Sequence, residues 1–312
     1  MDYTEVAGKK VSKMSLGTVQ LGMNYGIAND GGQPDTAQSF SMLSAALSGG
    51  VSSLDTARAY GDAEDVLGAF FKEYEGELPF LTTKVPQFAA ESDAEVEKYV
   101  VESVEESLAH MGVSKVNCVM LHNQYNLYHH ADATAKAMAG LIRRGYTDIV
   151  GASVYTAAEV EEMLLHPEYT ATQVPMSAFD QRLIVSGTVE KLRERGYATF
   201  VRSVFLQGLF FLDPAKITDP LLLRYAKPKI EAFRAFAEQE NMTIAELAIA
   251  FMRDVPGITS LVLGADTKEQ IAQNLAYFSV PAIRESTRAA MAKAFADTNI
   301  PEIMKVLSRP KD

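Results

Sequence analysis

The chain has a single cysteine, Cys118, and no tryptophan. One thiol closes no internal disulfide and builds no cysteine-rich metal site, so a reducing compartment is the natural reading. No stretch approaches the run of about 18 apolar residues that a membrane-spanning helix requires. The first ten residues, MDYTEVAGKK, put acids and a Gly-Lys-Lys turn where a signal peptide would have a basic start and then an apolar run. The cytoplasm is therefore the expected location, with no membrane partner. Basic residues are in the minority, 29 against 40 acids for a net charge of −11, and they are scattered rather than striped. A nucleic-acid partner is not expected. An anionic cofactor is not excluded, because a helix N-terminus or a nest of backbone N–H groups acts locally whatever the global charge.

Other signals are missing too. No Gly-x-Gly-x-x-Gly follows a strand, and Gly31-Gly32 after Asp30 reads as a turn. His129-His130 trail His122 at a spacing that fits no standard ligand set, so they read as a solvated loop and no metal is expected. No Pro/Ser-rich linker, low-complexity tract or sequence repeat interrupts the chain, which is expected to form one domain over residues 1–312.

What is present is a rhythm. Hydrophobic residues make up 47% of 312, enough for a sizeable core. Short, nearly continuous apolar runs alternate with segments of helical period from about Met14 to about Phe278. Eight strands are expected: Met14 to Thr18, Val51 to Asp55, Phe80 to Lys84, Val116 to His122, Asp148 to Ser153, Ala171 to Pro175, Ala198 to Ser203 and Ser260 to Gly264. Continuous rather than alternating apolar strands suit parallel pairing with both faces covered. Between them, Leu67, Phe70, Phe71 and Tyr74 share one helix face, as do Val100, Val104, Leu108 and Met111. Gly49-Gly50, Gly112, Gly145 and Gly196 stand where helices should stop. From Ser203 to Ser260 a long loop (Val204 to Pro228) and two helices are expected. Eight β-α repeats favour an α/β fold of the (β/α)8 TIM-barrel type over an open doubly wound sheet.

In such barrels the chemistry lies at the C-terminal strand ends. Here the second, third and fourth strands end in Asp55, Lys84 and His122, and buried Asp and Lys need partners. Tyr60 lies five residues past Asp55, far enough to turn across the mouth before a helix starts near Asp62. A phenol of ordinary pKa about 10 is a weak acid at neutral pH. An ammonium beside it stabilises the phenolate, and an aspartate keeps that ammonium charged and in place.

The segment Leu54-Asp55-Thr56-Ala57-Arg58-Ala59-Tyr60-Gly61 resembles the aldo/keto reductase signature. The resemblance continues, in order, through Thr82-Thr83-Lys84, Leu121-His122, Gly151-Ala152-Ser153, Gln173-Val174-Pro175 and Gly264-Ala265 with Gln270 and Asn274. It implies an NAD(P)H-dependent oxidoreductase that reduces an aldehyde or ketone to an alcohol. Tyr60 would be the general acid, Lys84 with Asp55 would lower its pKa, and His122 would orient the carbonyl. Ser153 and Gln173 would hold the nicotinamide carboxamide, and Arg202 and Ser203 would meet the ring, Arg202 offering it a planar guanidinium. Leu206-Gln207-Gly208-Leu209 resembles the loop over the pyrophosphate, while Gly264, Ala265, Asp266, Gln270, Gln273 and Asn274 fall on the adenosine-binding turn and helix.

Three positions depart from the family pattern: Val154 replaces a common Asn, Met176-Ser177 replaces Tyr-Asn, and Asp266 stands where NADP-preferring members carry a base. An acid there would repel a 2′-phosphate and accept from a 2′-hydroxyl, although Lys268 lies nearby. The resemblance implies NADP, with NAD as the alternative. Asn24-Tyr25 and Asn123-Gln124-Tyr125, with no tryptophan to build an apolar wall, point to a hydroxylated small-molecule carbonyl, a sugar or sugar derivative. Two further readings stay open: a barrel isomerase or lyase using Lys84 for a Schiff base or carboxylates for a metal, and a cofactor-binding regulatory subunit with little turnover.

Overall fold

The computed structural model describes residues 1–25, 32–296 and 299–307. Asp30 and Gly31 of the expected turn lie outside these residues. Among the described residues there are ten strands, and the first two were not anticipated. Strands β1 (Tyr3–Val6) and β2 (Lys9–Ser12) form an antiparallel hairpin in the register Val6↔Lys9 and Glu5↔Lys10. Its two-residue turn, Ala7-Gly8, has φ of 48° and 76°, the double positive-φ geometry whose twist matches paired strands.

The other eight strands are β3 (Met14–Gly17), β4 (Ser53–Asp55), β5 (Phe80–Val85), β6 (Cys118–Leu121), β7 (Ile149–Ser153), β8 (Ala171–Pro175), β9 (Ala198–Arg202) and β10 (Ser260–Leu263). They close into a parallel barrel in chain order, with β10 pairing both β9 and β3. This is the (β/α)8 barrel expected from the apolar runs; β8 has the expected bounds, β5 runs one residue past Lys84 to Val85, and the other strands are trimmed by one to three residues. Every residue of β4, β5 and β6 is buried, as strands covered on both faces must be.

The hairpin explains why the barrel has a floor. Val6 and Val11 pack into a cluster with Phe80, Cys118, Met120, Ala171, Ala198 and Phe200, several of them the first residues of their strands. The N-terminal end of the barrel is thus plugged with apolar side chains. Cys118 sits in that plug, buried, where burial pushes its thiol above the ordinary range and keeps it unreactive. A much larger cluster fills the space between barrel and helices, including Leu67, Val100, Val104, Leu108 and Met111 from the two faces read in the sequence.

Helix ends follow local chemistry. Ser92 caps the helix Asp93–Met111 by accepting from the Glu95 N–H, and the helix stops at Gly112 in the left-handed conformation, φ 66°. The long gap before β10 does carry two helices, Lys227–Glu240 and Ile244–Arg253. The expected loop ahead of them is partly ordered into 3-10 turns at Leu206–Phe211 and Pro214–Lys216 and a wide helical turn at Leu222–Ala226. His129 and His130 are exposed; His129 stacks on Tyr125 at 3.9 Å, and among the described residues no cluster of His, Cys, Asp or Glu could hold a metal ion. No described helix is long and apolar enough to cross a membrane.

Candidate active site

The segment leaving β4 is fixed backbone atom by backbone atom. Thr56 N donates to Thr82 O at 2.8 Å, Arg58 N to Lys84 O at 3.4 Å and Tyr60 N to Ala57 O at 3.0 Å. Arg58 reaches the buried carboxylate of Glu64 (3.1 Å) and the exposed one of Glu106 (3.2 Å), while the Thr83 hydroxyl donates to Glu64 at 2.6 Å. On its other side the segment lies against the short helix Val19–Gly22, and Asp62 N donates to Gly22 O at 3.2 Å. A Cβ on Gly22 would fall 1.8 Å from Tyr60 O, and one on Gly61, already at φ +54°, 2.2 Å from Gly22 O. Both positions require glycine, and the contact between them sets where Tyr60 points.

Lys84 holds the centre. Its ammonium, fully buried, donates to Asp55 Oδ2 at 2.7 Å, to the Thr56 carbonyl at 2.9 Å and to the Tyr60 hydroxyl at 3.3 Å. An ammonium has three protons, and each has an acceptor. Burial alone would pull Lys84 down, but Asp55 and Tyr60 together more than reverse this and hold it above its ordinary value. The other oxygen of Asp55 accepts from Gln173 Nε2 at 2.7 Å.

Tyr60 differs from the expectation in one respect. Burial pushes its phenol above the ordinary value; the Lys84 ammonium does pull it down, as expected, but does not overcome the burial. The phenol is therefore protonated across the neutral range. His122, one residue past β6, sets its ring edge-on to Tyr60 with centroids 5.4 Å apart and planes at 82°. Burial, then the charges of Lys84 and Arg202, lower His122 to about 4, so it is a neutral imidazole at pH 7.

Above this group opens a cavity of about 610 Å³, within the size range of small-ligand sites. Its lining includes Asn24, Tyr25, Asp55, Tyr60, Gln173, Arg202, Ser203, Gly208, Gly264 and Asp266, residues from the ends of β4, β8 and β9 and from the segments after β3, β4, β9 and β10; Lys84 and His122 lie outside it. Three buried polar atoms of this lining lack a hydrogen-bond partner: Gln20 Oε1, Arg202 Nη2 and Asp266 Oδ1. The turn after β9 is strained as well, with positive φ at Ser203 (63°), Leu206 (44°) and Gln207 (54°) ahead of Gly208 (90°). Left-handed backbone at a residue as bulky as leucine costs energy and marks a site built for a purpose other than stability.

Residues 13–294 match the model of the Aldo/keto reductase family. The chain belongs to the aldo/keto reductase family. It is 23% identical over 301 residues to aldo-keto reductase YhdN of Bacillus subtilis, covering 87% of each chain. It is 26% identical over 334 residues to a putative voltage-gated potassium channel subunit beta of Schizosaccharomyces pombe, covering 96% of this chain and 89% of the relative. The fold is similar to that of aldo-keto reductase AKR11C1 from Bacillus halodurans, solved in its holo form, with a TM-score of 0.78 at 18% identity over 94% of this chain and 96% of that one.

Within the aldo/keto reductase frame, the four residues expected to act together, Asp55, Tyr60, Lys84 and His122, do converge. The positions expected to hold a cofactor divide. Gln173, Arg202, Ser203, Gly208, Gly264 and Asp266 line the cavity, whereas Ser153, Leu206, Ala265, Gln270, Gln273 and Asn274 do not. Ser153 is buried at the end of β7, in register with Gln173. Gln270 accepts from Asp266 N at 2.7 Å and Asn274 donates to Gly264 O at 3.3 Å, so these two side chains hold the turn itself. Gln273 is exposed on the same helix, and Leu206 and Ala265 are buried.

Two expectations need correction. Asn123 does not reach the cavity: its side chain donates to Gln87 Oε1 at 3.2 Å and accepts from Tyr125 N at 2.9 Å, which turns it into the following loop. Arg202 lays its guanidinium over the Tyr155 ring, 4.3 Å from the centroid, so one face expected to meet a nicotinamide is already covered. Gly22 and Gln20 were not anticipated; a glycine and an amide in the four-residue helix Val19–Gly22 carry no sequence signal of their own. Thr56 was also missed, because its contribution to Lys84 is a backbone carbonyl.

Proposed function

We propose that the protein, read as a single barrel unit over residues 1–312, is a nicotinamide-dependent carbonyl reductase with Tyr60 as its proton donor. The observation that carries this reading is the distribution of the three Lys84 protons over Asp55, the Thr56 carbonyl and the Tyr60 hydroxyl. Tyr60 Oη gives its proton to the substrate oxygen. Lys84, fixed by Asp55, stabilises the phenolate left behind, and the proton returns from solvent. His122, neutral at pH 7, offers an N–H to the same oxygen, so that two donors meet the charge that develops there.

The lining fits a dinucleotide. Orphaned Gln20 Oε1 and Asp266 Oδ1 are groups that a polar ligand would satisfy, and the strained turn from Ser203 to Gly208 presents backbone beside them. A reduced nicotinamide, when bound, supplies the hydride. Gln173 and Ser153 would position its carboxamide, and Gly264 and Asp266 would take the adenosine end. Burial holds the Asp266 carboxyl above its ordinary value, and its free oxygen suits a ribose 2′-hydroxyl better than a 2′-phosphate. NAD(H) is the better fit on this ground, against the NADP implied by the resemblance. Asn24 and Tyr25 line the cavity and favour a hydroxylated carbonyl substrate, a sugar or sugar derivative.

Fluorescence titration with NADH and NADPH tests the cofactor, followed by absorbance decay at the nicotinamide band with a set of aldehydes. The expected result is tighter NADH binding and turnover. If neither cofactor binds, the reading is wrong. Similarity to a potassium channel beta subunit supports a second reading, a cofactor-binding regulatory subunit. It predicts tight cofactor binding with turnover too slow to match any aldehyde tested.

A further inference from the structure

The charges around the cavity are not all paired. Asp55 and Lys84 pair at 2.7 Å and cancel, and His122 is neutral. Arg202 is left over. Among the described residues it forms no ion pair, and its Nη2, buried, has no hydrogen-bond partner. In a chain with 40 acids an unpaired guanidinium at the half-buried end of β9, with one nitrogen fully buried, is a local feature.

The contact with Tyr155 does not settle it. A ring 4.3 Å from the guanidinium carbon covers a face, whereas the N–H donors of an arginine radiate from its edge. That edge matches the two oxygens of a carboxylate or phosphate. The position is also right. Arg202 ends β9 in register with Pro175 of β8, two residues beyond the Gln173 that reaches Asp55, and it lines the same cavity as Tyr60. Its charge is close enough to draw down both Tyr60 and His122, the pair that would hold the carbonyl oxygen.

We propose that Arg202 is a substrate-selecting residue whose guanidinium edge binds a carboxylate or phosphate carried close to the reacting carbonyl, so that the substrate is an anionic aldehyde or ketone. This rests on the reading of the cleft as a carbonyl reductase. The anion pairs with the guanidinium and sets the carbonyl towards Tyr60.

The test compares matched pairs on the full-length protein: succinic semialdehyde with its methyl ester for a carboxylate, and glycolaldehyde phosphate with glycolaldehyde for a phosphate. In the parent, the charged member of at least one pair is expected to have the higher kcat/KM, and which pair shows it identifies the anion. At saturating cofactor, Arg202→Met should lower kcat/KM for that charged member by about 30-fold more than for its neutral partner. Arg202→Lys should recover part of the preference, because it keeps the charge and loses the fork. The melting temperature of unliganded Arg202→Met should be no lower than the parent's, which shows that the variant folds and that the arginine is not structural.

A readout without turnover separates this proposal from the function beneath it: succinate or inorganic phosphate should raise the melting temperature of the cofactor-saturated parent but not of Arg202→Met, while succinamide raises neither. Equal losses on charged and neutral substrates, or no response of the parent to either anion, would overturn the assignment. Anion binding without reduction of any carbonyl would leave the site standing and refute the reductase reading instead.

Discussion

Gln173 donates to Asp55 from the opposite side of the barrel, Nε2 to Oδ1 at 2.7 Å, across 118 residues of sequence. With Lys84 on Oδ2, the carboxylate is held by both oxygens. A buried carboxylate deprived of one donor pays the desolvation of that oxygen. Gln173→Leu is therefore expected to lose roughly 1–3 kcal/mol of stability, measured by urea unfolding at pH 7. An unchanged unfolding midpoint would show that the contact contributes nothing.

His122 gives the protein a defined acid sensitivity. Its pKa lies near 6.5 when unfolded and is lowered to about 4 by burial and by the charges of Lys84 and Arg202. The unfolded chain then binds the proton more readily than the folded one, so stability contributed by the neutral ring is complete above about 6.5. It is lost progressively as the pH falls from there towards about 4. Urea midpoints at pH 7.5 and pH 4.5 should differ less in His122→Asn than in the parent. Identical differences in the two proteins would remove His122 from the acid response.

The contact between Gly22 and Gly61 predicts a third outcome. A methyl group at Gly22 would meet backbone, Tyr60 O at 1.8 Å and Ala63 N at 2.4 Å, and backbone cannot give way as the end of a side chain can. Gly22→Ala should displace the Tyr60 segment. Melting temperature and carbonyl reduction are expected to fall together, and a variant that retains both would show that the segment is held by other contacts.

The barrel was legible because its signals are local. Eight apolar runs became eight strands, and the helix faces at Leu67 and Val100 are buried where the period put them. Asp55, Lys84 and His122 could be found because a charge or an imidazole at the end of a buried strand has no packing reason to be there. The rest depends on distances the sequence does not contain. The hairpin at Tyr3 to Ser12 pairs Glu5 with Lys10 on its outer side and buries, besides Ser12, only Val6 and Val11, too little apolar pattern to announce a plug. Gln173 was assigned to a carboxamide, while its nitrogen crosses the barrel to Asp55. Arg202 was assigned to ring stacking, and only the fold shows Tyr155 already on one face. The balance at Tyr60 likewise needed the depth of the pocket, since the same Lys84 that lowers its pKa sits where burial raises it further.

The account rests on Tyr60 as the acid, and Tyr60→Phe addresses it most directly. Phenylalanine keeps the ring against His122 and removes the hydroxyl that Lys84 touches at 3.3 Å. With an aldehyde that the parent reduces, kcat should fall roughly 100- to 10,000-fold, while titration with NADH gives the parent's affinity. A Tyr60→Phe protein that binds cofactor and reduces the aldehyde at the parent's rate would show that the proton comes from another group.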